Sequence, residues 1–429
     1  MRRFYSLLLY FLLPWVAFHL WWRGRRQPGY RRHVGERFGF YGARPAGSEK
    51  WAGLIWLHTV SVGETRAAAP LVEALLARYP GHRILLTHMT PTGRETGETL
   101  FGERVLRAYL PYDFPWAVRR FLRHFRPAAG LLMETEIWFN LIAECRRAQV
   151  PLLLVNARLS EKSCRKFAHV PDLTRAALEG LRAIAAQTEA DAARLKSLGA
   201  PAVTVMGNLK FDSAPPSAQI ALGQALRARF GASRPVFLAA STREGEEALL
   251  LDVLPQIAVP DLLTIIVPRH PQRFDEVARL LEARGIPFQR RSEEQPLDAQ
   301  TRVVLGDSMG EMFAYYAACD LAFIGGSLLP LGGQNLIEAA SLGKPLLLGP
   351  HTFNFSEASE LAIAAGAARR MRDAGELAQA VRALLEDSTA RAAMSQSGLR
   401  FSQAHRGATA CLMALVDACL ADAAPKCAA

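Results

Sequence analysis

The groups in this sequence best placed to move a proton are carboxylates that follow short apolar runs. The run Leu54–His58 leads into Thr59-Val60-Ser61-Val62-Gly63-Glu64, where a helical pattern starts. Ser61 and Gly63 predict a tight turn that sets Glu64 at a helix N-terminus, beside backbone N–H groups whose dipole favours the ionised form. A carboxylate held there can take a proton from an attacking hydroxyl, although many helices simply begin with an acid. A second run ends in Met133-Glu134-Thr135-Glu136, ahead of Trp138, Phe139 and Asn140. Residues two apart do not share a helix face, so one of Glu134 and Glu136 is expected in the site, and spacing does not say which. Arg158 and Lys210 follow further runs on the same edge. They would offer positive charge to an acidic substrate or pair with those acids.

The second half carries a set of turns suited to phosphate. Ser241-Thr242-Arg243 follows its first apolar run, and Pro268-Arg269-His270-Pro271 its second. Gly306-Asp307-Ser308-Met309-Gly310-Glu311 comes after the third run and Gly325-Gly326-Ser327 after the fourth, with Gly332-Gly333-Gln334-Asn335 leading to Glu338. Glycine-rich turns that open helices present N–H groups to anions, and an acid one turn into such a helix can accept from ribose hydroxyls. Any single turn reads as ordinary packing; four on one sheet edge read as a nucleotide cradle.

The elements that must position these residues alternate in type. Leu54–His58, Ile84–His88, Gly130–Met133, Leu152–Asn156, Ala183–Gln187 and Val203–Met206 are expected strands, with helices such as Thr65–Arg78, Pro115–His124 and Leu141–Ala148 between them. That rhythm predicts βαβ units and a parallel sheet. A second series, Val236–Ala240, Leu263–Val267, Val303–Leu305, Leu321–Ile324 and Pro345–Leu348, starts after the Ser213–Ser217 turn signal. The expected domains are 1–50 as a membrane-anchoring helix with a basic segment and the polar bridge 42–50, 51–212 as a Rossmann-like acceptor domain, 213–233 as linker, and 234–429 as a Rossmann-like donor domain. Two such halves facing across a cleft would form the site. The helical stretch 389–424 is expected to cap the second domain or to cross back to the first.

Phe4 to Trp22 carries no formal charge, and Trp15, Trp21 and Trp22 suit a lipid–water interface. The run is near the length needed to span, about 20 residues, yet Pro14 and His19 leave an in-plane helix equally open. Arg23, Arg25, Arg26, Arg31, Arg32 and Arg37 follow it. They argue against a cleaved signal peptide and for a body on the cytoplasmic side of an anionic membrane. Within 429 residues the formal net charge is +11, which favours anionic partners. No nucleic-acid-binding motif is present, and there is no P-loop sequence. Six cysteines lack CxxC spacing and ten histidines lack an HExxH arrangement, so no metal site is expected. The absence of an Asp-x-Asp pair leaves phosphate charge to Arg, Lys and helix dipoles.

Taken in order, HTVSVGET (58–65), TPTGRETG (90–97), METEIW (133–138), NARLSEKS (156–163), GNLKFD (207–212), VPRHPQRF (267–274) and GGQNLIEAA (332–340) resemble the 3-deoxy-D-manno-octulosonic acid (Kdo) transferases of lipopolysaccharide synthesis. The stretch RGRRQPGYRRHVGERFGFY after the apolar run is similar too. The resemblance implies a GT-B glycosyltransferase of α/β class, without cofactor or metal, that inverts at the anomeric carbon. Its donor would be CMP-Kdo and its acceptor a lipid A precursor, at the inner membrane. It also implies Glu64 as general base, and Glu134 and Lys210 as stabilisers of the reacting sugar. The CMP-binding stretches would be Pro268-Arg269, Met309-Gly310-Glu311 and Asn335-Leu336-Ile337-Glu338. Phe139 departs from the proline that relatives often carry after the tryptophan. The competing readings are another GT-B sugar-nucleotide enzyme, such as a UDP-sugar transferase or 2-epimerase, and a non-catalytic membrane-tethered nucleotide-sugar binder.

Overall fold

The computed structural model describes residues 1–43 and 52–423. Most of the expected polar bridge, residues 44–50, lies outside them, as do Cys427 and the alanine-rich tail. The chain forms two compact units, one made of Met1–Ser213 with the chain from Arg406 onward, the other of Ala214–His405.

In the first unit β1 (Gly53–His58), β2 (His82–His88), β3 (Val105–Tyr109), β4 (Ala129–Met133), β5 (Leu152–Ala157), β6 (Ala183–Ala186) and β7 (Thr204–Val205) form a parallel sheet in the order β3-β2-β1-β4-β5-β6-β7. Its central strands are apolar on both sides because helices cover both faces. Leu54 and Trp56 pack with Val118, Phe121 and Leu141. Their neighbours Ile55 and Leu57 pack with Leu71, Leu75, Leu412 and Val416. Each such side chain contributes about 1.5–3 kcal/mol by leaving water.

The second unit repeats the plan. Its strands β8 (Val236–Thr242), β9 (Leu263–Pro268), β10 (Phe288–Arg290), β11 (Val303–Leu305), β12 (Leu321–Ile324), β13 (Leu346–Leu348) and β14 (Ala368–Arg370) are parallel in the order β10-β11-β9-β8-β12-β13-β14.

Several expected boundaries move. Strands β3, β10 and β14 were not expected; all three lie at sheet edges, where Arg107, Gln289 and Arg369 break the apolar pattern. The helix expected over Thr65–Arg78 is two helices, Val62–Ala67 and Ala69–Arg78, because Pro70 cannot continue the hydrogen-bond ladder. The expected linker 213–233 is mostly a helix of the second unit, Ser217–Phe230. It packs so closely on Met312–Ala318 that a Cβ at Gly223 would lie 2.5 Å from the Ala317 side chain.

The expected second domain, 234–429, gives up its last helix. The stretch 389–424 breaks at Gly407 into Ser388–Ala404 and Ala408–Ala423. The latter joins the first unit through Ala408, Leu412, Val416 and Cys419. Asp212 fixes its start by accepting from the Gly407 and Thr409 N–H groups.

The N-terminal helix Arg2–Arg26 belongs to the first unit. Leu9, Leu13, Val16, Leu20 and Gly24 form a half-buried to buried stripe along it. Tyr5 donates to Asp113 (3.0 Å) and Ser6 to Asn140 (3.0 Å) near one end. At the other end Arg23 stacks over Tyr30. The remaining surface exposes Phe4, Leu8, Phe11, Trp15, Phe18 and Trp22, three or four residues apart.

Replacing Asp212 by Ala removes both bonds that start the last helix, a loss of about 1–2 kcal/mol. Hydrogen exchange should speed up across 408–423 while the amides of β12 keep their protection.

Candidate active site

Parallel sheets of this kind bind ligands beyond the carboxyl ends of their strands, where the strand order reverses. In the first unit that point lies between β1 and β4, so the turns carrying Glu64 and Glu134–Glu136 flank it. The Glu64 carboxylate accepts from the Val60 N–H (2.8 Å) and the Ser61 hydroxyl (3.1 Å). Burial, then the neighbouring charge of Glu134, pushes its pKa up to about 8, against the two hydrogen bonds and with a further push from Glu136. The acid is therefore poised to exchange a proton near neutrality, rather than held ionised by the helix dipole as the sequence alone suggested.

The same electrostatics separates Glu134 from Glu136. Glu134 sits at φ +60°, its backbone N–H bonded to Val155, and acts on Glu64 more strongly than Glu136 does. Glu136 accepts from the Trp138 indole and lies 4.0 Å from His58 Nε2; burial first, then Glu134, raises its pKa. Lys210 is on the turn Leu209–Asp212, after β7, which doubles back across the sheet. The Leu209 N–H donates to Asn156 Oδ1 (3.1 Å) at the end of β5, and Asn208 donates to Gln187 (2.9 Å) after β6. Arg158 follows the same β5 end, its carbonyl accepting from the Thr135 hydroxyl at 2.5 Å.

The turn beneath Glu64 is held by residues that spacing did not single out. His58 and His88 are buried, and burial lowers their pKa values to about 3 and about 4, so both are neutral struts. His58 Nδ1 lies 3.0 Å from the Thr87 carbonyl, and His88 Nδ1 lies 3.1 Å from the Thr59 hydroxyl. The helix Pro91–Phe101 then presses on the turn. Thr90 donates to the Val60 carbonyl (3.1 Å), and a Cβ at Gly93 would lie 3.2 Å from that same oxygen. A side chain at Gly97 would meet the His88 ring at 3.0 Å. The glycines of TPTGRETG, a motif legible in the sequence, are therefore spacers between helix and turn.

In the second unit the strand order places the turns after β11, β9, β8 and β12 side by side. Gly325 lets two of them touch: a Cβ there would sit 2.5 Å from the Ser241 carbonyl. Glu246, missed in the sequence, ties them together by accepting from the N–H groups of Arg243 (2.9 Å), Gly326 (2.5 Å) and Leu328 (3.0 Å). Burial raises its pKa and the three bonds oppose the rise. Glu247, also buried, accepts from Thr242 (2.7 Å) and Arg273 (2.6 Å).

Pro268 closes β9 and is buried, while Arg269 is exposed, with its N–H on the Thr242 carbonyl (2.9 Å) and its side chain on Gln334 (3.2 Å). Beside it His270 has its pKa lowered by burial first and then by the charges of Arg269, Arg243 and Arg273, the mark of a cationic edge. Met309 is exposed, Gly310 adopts φ +82°, and Glu311 accepts from Ser308 (2.6 Å) and pairs with Arg291 (3.3 Å). Asn335 donates to Glu338 (3.0 Å) and accepts from the Ile337 N–H (3.1 Å); Leu336 and Ile337 are buried supports. Gln334 and Arg243, both within turns read from the sequence, lie on this edge, and Arg291 joins it without having been singled out. An acid in the first turn of the helix after the first strand, as at Glu64, was the available signal for Glu246.

A family model described as 3-deoxy-D-manno-octulosonic-acid transferase (Kdo transferase) matches residues 32–213. The chain is 48% identical to the 3-deoxy-D-manno-octulosonic acid transferase of Bordetella pertussis, over 95% of this chain and 97% of that one. This chain belongs to the Kdo transferase family. The enzyme of the same name from Haemophilus influenzae is 35% identical over 97% of this chain and 98% of its own. Kdo transferases are glycosyltransferases, so the chain is an enzyme that transfers a sugar, and the non-catalytic reading falls away. A UDP-GlcNAc 2-epimerase from Neisseria meningitidis has a TM-score of 0.59 at 15% identity, covering 85% of this chain and 100% of that one. That likeness concerns the fold alone, which is GT-B.

Glu246→Gln replaces a charged triple acceptor by a group whose NH₂ opposes the N–H donors. The second unit should lose about 2 kcal/mol, read as a lower melting temperature with faster exchange at Gly326 and Leu328.

Proposed function

We propose that this Kdo transferase uses CMP-Kdo as donor and a lipid A precursor, a tetraacyl disaccharide phosphate, as acceptor. It inverts the anomeric carbon, with Glu64 as general base, in lipopolysaccharide core biosynthesis. The observation that carries this reading is the Glu64 carboxylate at the point of strand reversal, with a pKa of about 8 and held by Val60 and Ser61.

In the proposed step the acceptor hydroxyl oxygen forms a bond to the anomeric carbon as the bond from that carbon to the CMP oxygen breaks. The hydroxyl proton passes to Glu64, and CMP departs with the bonding pair. Positive charge then develops on the sugar, as in glycoside hydrolysis. Glu134 would stabilise that charge, and Lys210 would meet the acidic sugar's own carboxylate. Arg269, the Met309-Gly310-Glu311 turn and Asn335 to Glu338 would hold CMP. The cationic edge felt at His270 supports phosphate neutralisation by arginine without a metal ion.

The exposed aromatic stripe of Arg2–Arg26 and the arginines after it fit an inner membrane with the body on its cytoplasmic face. Because one face of that helix is docked along its length, the reading favours a helix lying in the interface over one that spans it.

Glu64→Gln should abolish turnover and preserve CMP binding, measured by mass spectrometry of the lipid product and by calorimetry; near-normal turnover would remove Glu64 as the base. A base must be ionised, so with wild type the rate should rise with pH and level off above about 8. Glu134→Gln removes the charge that helps raise that pKa, so the midpoint of the pH profile should move to lower pH even where the maximal rate falls. An unmoved midpoint would break the proposed coupling.

A further inference from the structure

A cavity of about 300 Å³ lies where the N-terminal helix meets the helices Pro115–Phe125 and Phe139–Arg147 of the first unit. Its polar wall holds Arg2, Arg3, Arg119 and Arg147 against one carboxylate, Glu144. Four positive charges against one negative leave a surplus of three. Glu144 is 3% exposed, and its contacts to Arg2 (3.7 Å) and Arg119 (3.6 Å) are longer than hydrogen bonds. Those guanidinium groups, about half exposed, thus keep N–H donors for another acceptor. Among the described residues Arg3 and Arg147 have no acid within ion-pair distance.

The apolar lining is Leu7 and Tyr10, one helical turn apart, exposed, and on the same helix as Arg2 and Arg3. They border the stripe of Leu8, Phe11 and Trp15. The groove is fixed in shape, since the Tyr5–Asp113 and Ser6–Asn140 bonds hold the helix on the unit. A cationic pocket that opens along an apolar helix face matches a ligand with an anionic head and an acyl tail.

We propose that this groove binds the phosphate headgroup of an anionic glycerophospholipid, with the acyl chains against Leu7 and Tyr10. The proposal rests on the membrane reading above and adds one bound lipid at a defined place to it. The site is separate from the turns of Glu64 and Glu134, and uses none of the arginines that follow the apolar run.

The test uses the full chain in mild detergent, doped with phosphatidylglycerol or phosphatidylcholine and read by native mass spectrometry. Wild type should retain one phosphatidylglycerol and no phosphatidylcholine. The double variant Arg3→Gln/Arg147→Gln breaks no ion pair and should weaken retention about tenfold. Arg25→Gln/Arg26→Gln, with the same charge change at the other end of the helix, should retain the lipid. Equal retention in all three proteins, or equal loss in both variants, overturns the groove. Displacement by millimolar inorganic phosphate alone would make the site one for a free anion and overturn the lipid assignment. Flotation of wild type with vesicles separates the two readings. A protein that floats but retains no lipid in the groove sinks only this proposal, and one that does not float sinks the membrane reading itself.

Discussion

A carboxylate that serves as a base near neutrality must be desolvated enough to want a proton and bonded enough to release one. The turn after β1 sets that balance. Burial and the Glu134 charge push the Glu64 pKa up, and one backbone N–H with one hydroxyl pull it down. Much of what surrounds the turn keeps this balance fixed. Neutral His58 and His88 brace the ends of β1 and β2 without adding charge. Gly97 leaves room for the His88 ring, and Gly93 lets a helix press on the Val60 carbonyl, which a Cβ there would crowd at 3.2 Å. Thr59 and Thr65 share a hydrogen bond beneath it (3.0 Å).

The second unit places an acid in a similar position and saturates it with hydrogen bonds. Glu246, like Glu64, stands in the first turn of the helix after the first strand of its sheet. It accepts from three backbone N–H groups, two of them on the turn after β12. A carboxylate so saturated has little capacity left for a substrate proton, and works instead as a fastener that holds two turns together. Glu64 takes a single backbone bond and keeps acceptor capacity. The difference between the proposed base and the fastener therefore lies in how many N–H groups the opposite turn supplies.

That distinction explains what could be read from the sequence. Buried parallel strands such as Leu321–Ile324 leave continuous apolar runs, and the turns after them carry the chemistry, so the α/β class and the Glu64 and Glu134 turns were legible. Edge strands were not, because Val105–Tyr109 and Ala368–Arg370 carry arginines that edges tolerate. Nor was the choice between Glu134 and Glu136. It rests on the Trp138 indole donating to Glu136 and on the stronger push of Glu134 on Glu64, neither of which spacing encodes. The return of the last helix to the first unit was equally hidden: its anchor is Asp212, nearly two hundred residues earlier.

The N-terminal helix follows the same rule of shared acceptors. Asp113 accepts from the Asn140 (3.0 Å) and Leu141 (2.7 Å) N–H groups at the start of Phe139–Arg147, and also from Tyr5 of the N-terminal helix. Burial raises its pKa to about 6 against those bonds. Near neutral pH it is therefore mostly a charged acceptor serving both helices. The helix it caps begins directly after Glu136, Ile137 and Trp138, so one carboxylate braces both the end of the METEIW segment and the apolar helix. A helix secured in this way cannot shift far without disturbing the turn that carries Glu134 and Glu136. In a sugar transferase whose acceptor is proposed to be a lipid, that stiffness would fix the depth at which the catalytic edge meets the membrane.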